Sequence, residues 1–226
     1  MATLAQLLAQ HRRILVLDAA STRTQAGLLG AGIPAVWQSS DHEAGTGIFN
    51  LTAAVLQTAG VKLDDIAAFV FCAGPGSMLG TRTIAMALRT WQVLRPRPAY
   101  AYQSLAVAGR LAWTERPHAF AVIADARRDT WHLQAVGPEG AQPALRRVAV
   151  AELPTGELLT PENFRTWAQP PLEAGRCSYD LAKIFPAVGD GDFFHLAEAP
   201  DAFQHPAPEY KKWSALLHSA ASAPAR

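Results

Sequence analysis

Three glycines, a proline and a serine stand together in CAGPGSMLGTRT (72–83), between the apolar runs IAAFVF (66–71) and IAMALRTWQVL (84–94). A glycine turn leading from a strand into a helix is where proteins hold phosphates, because helix amides point outward there and the dipole favours negative charge. Gly74 and Gly76 permit positive φ and close backbone approach, and Ser77 can cap the helix. The established patterns nevertheless fail. A P-loop sets lysine after its last glycine, whereas Gly80 is followed by Thr81 and Arg82. Gly74, Gly76 and Gly80 are spaced one residue too widely for the dinucleotide fingerprint. Ser77, between Gly76 and Met78, does not make a nucleophile elbow. Arg82 falls in the first helical turn, where its charge opposes the helix dipole. A nearby anion would explain that placement, and so would a structural pair with a carboxylate such as Asp18.

Other groups are sparser. Asp18 ends the apolar run ILVLD (14–18), where it could hold a metal-bound water or a phosphate, or cap the following turn. Asp125 likewise ends a strand and opens DARRD (125–129), where ion pairing within the hairpin tip is the plainer reading. Arg127 and Arg128 with Trp131 form a small basic and aromatic group of the kind that touches RNA, but one cluster at a net charge of +1 is thin support. The histidines lie scattered at 11, 42, 118, 132, 195, 205 and 218. A helical metal site wants two of them at i and i+4, and His42 meets Thr46 at that offset, so no metal site is expected.

The elements that must position these groups follow from pattern. With 226 residues, half of them hydrophobic, the chain can bury a sizeable core. A charged fraction of 17% and a net charge of +1 give no global field toward nucleic acid or an anionic membrane. MATLAQLLAQHRR (1–13) has its charges after its apolar part, the wrong order for a signal peptide, and no apolar run approaches a membrane span. Cys72 and Cys177 lack motif spacing, and Cys72 reads as a core thiol of a reducing compartment. A cytoplasmic protein with no membrane partner is expected.

ILVLD, TQAGLLG (24–30) and PAVWQSS (34–40) read as a three-stranded meander. In 45–60, Ile48, Leu51, Thr52, Val55, Leu56 and Ala59 fall at helical spacing, closed by Gly60. The helix after the glycine turn runs to about residue 94, where RPRP stops it. Ile84, Leu88 and Trp91 define its core face, with Ala87 and Leu94 beside it, while Met86 and Val93 lie opposite between Arg82 and Arg89. A partner subunit would cover that second side. A strand at 99–102, a helix at 103–113, two strands around the tip 126–129 and a third at 144–150 follow. Beyond these the chain is punctuated by proline and reads as irregular. The pattern predicts an α/β protein of two lobes, 1–113 and a smaller 114–226.

In order and rough spacing, the strand ending in Asp18, GPGSMLGTR (74–82), SLAVAG (104–109) and IADAR (123–127) resemble four blocks of the bacterial TsaB (YeaZ) family. The late segment PAPEYKKW (206–213) resembles it faintly. The resemblance implies an actin-like, ribonuclease H-like fold of two lobes with the second reduced, within the glycoprotease-like superfamily. It implies a non-catalytic subunit in the synthesis of N6-threonylcarbamoyladenosine in tRNA, paired with a TsaD-type catalytic paralogue and joined by a TsaE-type ATPase. Homodimerisation, tRNA contact through the complex, and ATP or ADP at a subunit interface rather than on the isolated chain belong to the same expectation. Partner or phosphate contacts then fall on Asp18, Gly74, Gly76, Ser77, Gly80, Arg82, Met86, Arg89 and Val93, with no catalytic residue. Ala19, Ser21, Met78 and Leu79 depart from the family pattern, and the missing hydroxyls at 19 and 79 remove donors that a phosphate would use. Two other classes stay open: a diverged enzyme of the same fold, kinase or peptidase-like, and a homodimeric binding module.

Overall fold

The computed structural model describes residues 1–42, 44–167, 173–189 and 191–203. A short helix, α1 (Leu4–Gln10), precedes the meander β1 (Ile14–Asp18), β2 (Thr24–Leu29) and β3 (Val36–Ser40). Then come α2 (Ala44–Thr58), β4 (Ala68–Gly74), α3 (Met78–Leu94), β5 (Ala99–Gln103) and α4 (Ser104–Glu115). The second half adds β6 (Phe120–Asp125), β7 (Thr130–Val136), β8 (Arg146–Ala149), β9 (Leu158–Pro161), β10 (Gly175–Cys177), α5 (Leu181–Val188) and β11 (His195–Leu196). Two sheets result, ordered β11-β5-β4-β1-β2-β3 and β10-β9-β6-β7-β8.

β1 pairs in parallel with β4, and β4 with β5, while β2 and β3 return antiparallel. Every residue of β1 and β4 is buried, as expected of strands covered on both faces. Their alternation sorts the side chains. Leu15, Leu17, Phe69 and Phe71 pack with Ile48 and Val55 of α2 and with Ile84 and Leu88 of α3. Ile14, Val16, Val70 and Cys72 face the other way, into a cluster shared with α4, α5, and Phe120, Val122 and Val136 of the second sheet. Helix α4 thus lies between the sheets. The far face of the second sheet holds Ile123, Trp131, Leu133 and Val148.

The helical spacing read in 45–60 holds, with Ile48, Leu51, Thr52, Val55 and Leu56 all buried. Leu94 corrects the reading of α3: it is exposed, because Trp91 is the last residue of that helix to reach the sheet. Trp131 is a second correction, since it is fully buried and cannot join Arg127 and Arg128 at the surface. The stretch after 150, expected to be irregular, contains β9, β10 and α5. Helix α5 forms despite Pro186 because Leu181, Ile184, Phe185 and Val188 share one buried face and Asp180 caps its start. The resemblance at 206–213, and His205 and His218, lie outside the described residues.

Candidate functional site

Because β1, β4 and β5 run parallel, their carboxyl ends bring Asp18, Gly74 and Gln103 to one edge of the first sheet. Such an edge is where open α/β sheets receive ligands. Here it is closed. Asp18 has no exposed surface. Its Oδ1 accepts the Ala20 amide at 2.7 Å, and its Oδ2 accepts the hydroxyls of Tyr102 at 2.6 Å and Tyr179 at 2.7 Å. Of the two roles open to Asp18, the structure displays the cap. Desolvation raises its pKa above the ordinary value although the tyrosine and amide hydrogen bonds pull downward. Burial, then the Asp18 charge, pushes both tyrosines well above their usual range.

The glycine turn closes onto the loop after β1. Ser77 N donates to Ala20 O at 2.7 Å, and Gly76, at φ +147°, lies so close that a Cβ would collide with that carbonyl. A Cβ on Gly80 would likewise meet the carbonyl of Ala19. Gly76 and Gly80 therefore serve the close contact of the turn and the start of α3 with the loop after β1. Ser77 caps α3 as expected, its Oγ accepting Gly80 N at 3.2 Å. Two amides that a phosphate would use, those of Ser77 and Gly80, are thus engaged within the chain.

Arg82 does not pair with Asp18. It is exposed on α3 and forms no ion pair among the described residues, while Asp18 is enclosed by Tyr102 and Tyr179. Arg89 donates through Nε to Pro200 O at 2.6 Å and approaches Asp201 at 3.4 Å. Between these arginines the apolar row anticipated on α3 is present. Met86 is 57% and Val93 85% exposed, and Leu79, one heptad earlier, is 76% exposed. Phe49 of α2 is half exposed and stands edge-on to Trp91, on the core side of α3 and away from this row. The site residues thus fall into two groups: Asp18, Gly74, Gly76, Ser77 and Gly80 at the closed edge, and Arg82, Met86, Arg89 and Val93 along the open face of α3.

The spacing of motifs could not reveal Tyr102 and Tyr179. Tyr102 was readable only as an inward position of a strand, and Tyr179 comes from a segment with no pattern of its own. His42 accepts or donates a hydrogen bond with Ser40 Oγ at 2.8 Å on the surface. Among the described residues no three His, Cys, Asp or Glu side chains are grouped to hold a metal. Nor is any helix among them long and apolar enough to cross a membrane.

No family model and no curated protein matches the sequence. Solved structures do match. YeaZ from Pseudomonas aeruginosa superposes with a TM-score of 0.58 at 20% identity, over 78% of this chain and 89% of that one. An uncharacterized protein with similarity to peptidase YeaZ from Pseudomonas aeruginosa gives 0.62 at 20% identity, over 88% of this chain and 98% of that one. The fold is therefore the two-sheet α/β fold of YeaZ-type proteins. The four sequence blocks resemble those of proteins with this fold.

Proposed function

We propose that this chain is a non-catalytic scaffold subunit of the tRNA N6-threonylcarbamoyladenosine transferase complex, seating a TsaD-type catalytic paralogue on α2 and α3. A TsaE-type ATPase and tRNA join the same assembly in this reading, and ATP or ADP belongs at a subunit interface. The observation that carries it is the exposed row Leu79, Met86 and Val93, on a helix whose opposite face is already filled by Ile84, Leu88 and Trp91. An apolar centre with a charged rim at Arg82 and Arg89 is the anatomy of a protein interface. The engaged amides of the glycine turn and the enclosed Asp18 lend the enzyme alternatives no support.

Met86→Asp tests the reading. A charge set in a desolvated interface centre costs at least about 2 kcal/mol of binding, roughly thirtyfold in affinity. The variant should lose capture of the catalytic paralogue, or of a second copy of this chain, while its melting curve stays that of the parent. Capture unchanged in a folded variant removes the proposed surface. Unfolding of the variant would place Met86 in the core and the interface elsewhere.

A further inference from the structure

Of the docking row only Leu79 reaches the cleft between the two sheets; Met86, Val93, Arg82 and Arg89 take no part in it. This cleft, of about 380 Å³, has Ser77 and Leu79 on one wall and Asp125, Arg127, Arg165 and Trp167 on the other. Trp167 is 66% exposed, and the Arg127 guanidinium lies over its ring, 5.0 Å from the centroid. One carboxylate sets both: Asp125 accepts the Arg127 amide through Oδ1 and the Trp167 amide through Oδ2, each at 2.5 Å. The tip itself is strained. Arg127, Arg128 and Asp129 have φ of 64°, 52° and 55°, three successive side-chain-bearing residues in the left-handed region. Such conformations persist only where the surroundings over-determine them, and they concentrate at ligand clamps. Here Arg147 supplies the restraint, donating to Ala126 O at 3.0 Å and Thr130 Oγ1 at 2.8 Å. Arg165 is exposed and lines the same cleft.

We propose that this lip binds a nucleotide unit, its base stacked on Trp167 and its phosphate held by Arg127 and Arg165. A flat aromatic ring with guanidinium groups around it is the platform on which single-stranded nucleic acids lie, base on ring and backbone on cation. The volume falls in the range of small-ligand clefts. Phosphate recognition passes to side chains because the amides of Ser77 and Gly80 are already engaged. The exposure of Trp167 leaves a strand free to continue past the site, so RNA is the favoured source of the nucleotide. That choice of RNA over a free nucleotide rests on the reading above, whereas the site rests on its own geometry.

Fluorescence anisotropy of a labelled single-stranded RNA on the full chain, at several salt concentrations and with AMP as competitor, tests it. Trp167→Ala should weaken binding about tenfold and Trp167→Phe should restore most of it, since stacking needs only a ring. Arg127→Asn, chosen because asparagine tolerates positive φ, should weaken binding and flatten the salt dependence by about one unit of slope. Melting curves matching the parent show that the variants are folded. AMP binding without RNA binding keeps the site and makes a free nucleotide the source. Equal RNA binding by every variant, or binding of neither RNA nor AMP by the parent, overturns the proposal. So does loss of paralogue capture in Trp167→Ala with RNA binding intact, which makes the lip a protein contact. Met86→Asp should leave RNA binding unchanged, so failure of the docking face and failure of the lip are read separately.

Discussion

Three hydrogen bonds favour the charged form of Asp18, yet burial outweighs them and its pKa lies above the ordinary 3.8. The linkage has a definite sign. A raised pKa means that the folded state holds its proton more tightly than the unfolded chain does. The stability from that proton is complete below 3.8 and is lost as pH rises through the raised value. Asn at this position has no proton to lose, and the tyrosine hydroxyls can turn to accept from its amide. The melting temperature of Asp18→Asn relative to the parent should therefore climb as pH is raised from about 4 to neutrality, read by scanning fluorimetry in a buffer series. A relative fall over that range would mean that the hydrogen bonds, not burial, set the group.

At the scale of elements, α5 shows how a short helix survives an unfavourable residue. Pro186 removes one helical N–H, but Leu181, Ile184, Phe185 and Val188 repeat at helical spacing and all are buried. The first turn depends on Asp180, whose side chain accepts the Ala182 amide at 3.0 Å. Asp180→Ala should lower unfolding stability by about 1 kcal/mol in a urea titration, with the slope unchanged. No loss would show that packing alone holds the helix. The same apolar spacing was present in the sequence, hidden by reading proline as a break. Where period and punctuation agree, as in 45–60 and at the RPRP stop after α3, the elements were legible. The exposed apolar row on α3 was legible too, because Met86 and Val93 oppose Ile84 and Leu88 on any helical projection. The closed edge was not. Tyr102 and Tyr179 reach Asp18 across 84 and 161 residues of sequence, a distance over which no local pattern operates.

Those long contacts make the molecule one cooperative body. The cluster that contains Ile14, Val16 and Val70 of the first sheet also contains Phe120, Val122 and Leu159 of the second. Gln25, buried in β2, adds a polar clamp to this shared core: its Nε2 donates to Tyr179 O and its Oε1 accepts the Leu181 amide, both at 3.0 Å. One side chain thus satisfies two backbone groups of the segment that delivers Tyr179 to Asp18 and starts α5. Gln25→Ala would leave that carbonyl and that amide buried without partners, each at about 1–3 kcal/mol. Because the clamp joins the sheets, the loss should appear on both sides. Native-state hydrogen exchange should find protection in β1 and in β7 reduced by the same factor, the signature of a lower global unfolding free energy. If protection falls in 175–188 alone and β1 and β7 keep theirs, the segment opens locally, and the two sheets are coupled by the apolar cluster without help from Gln25.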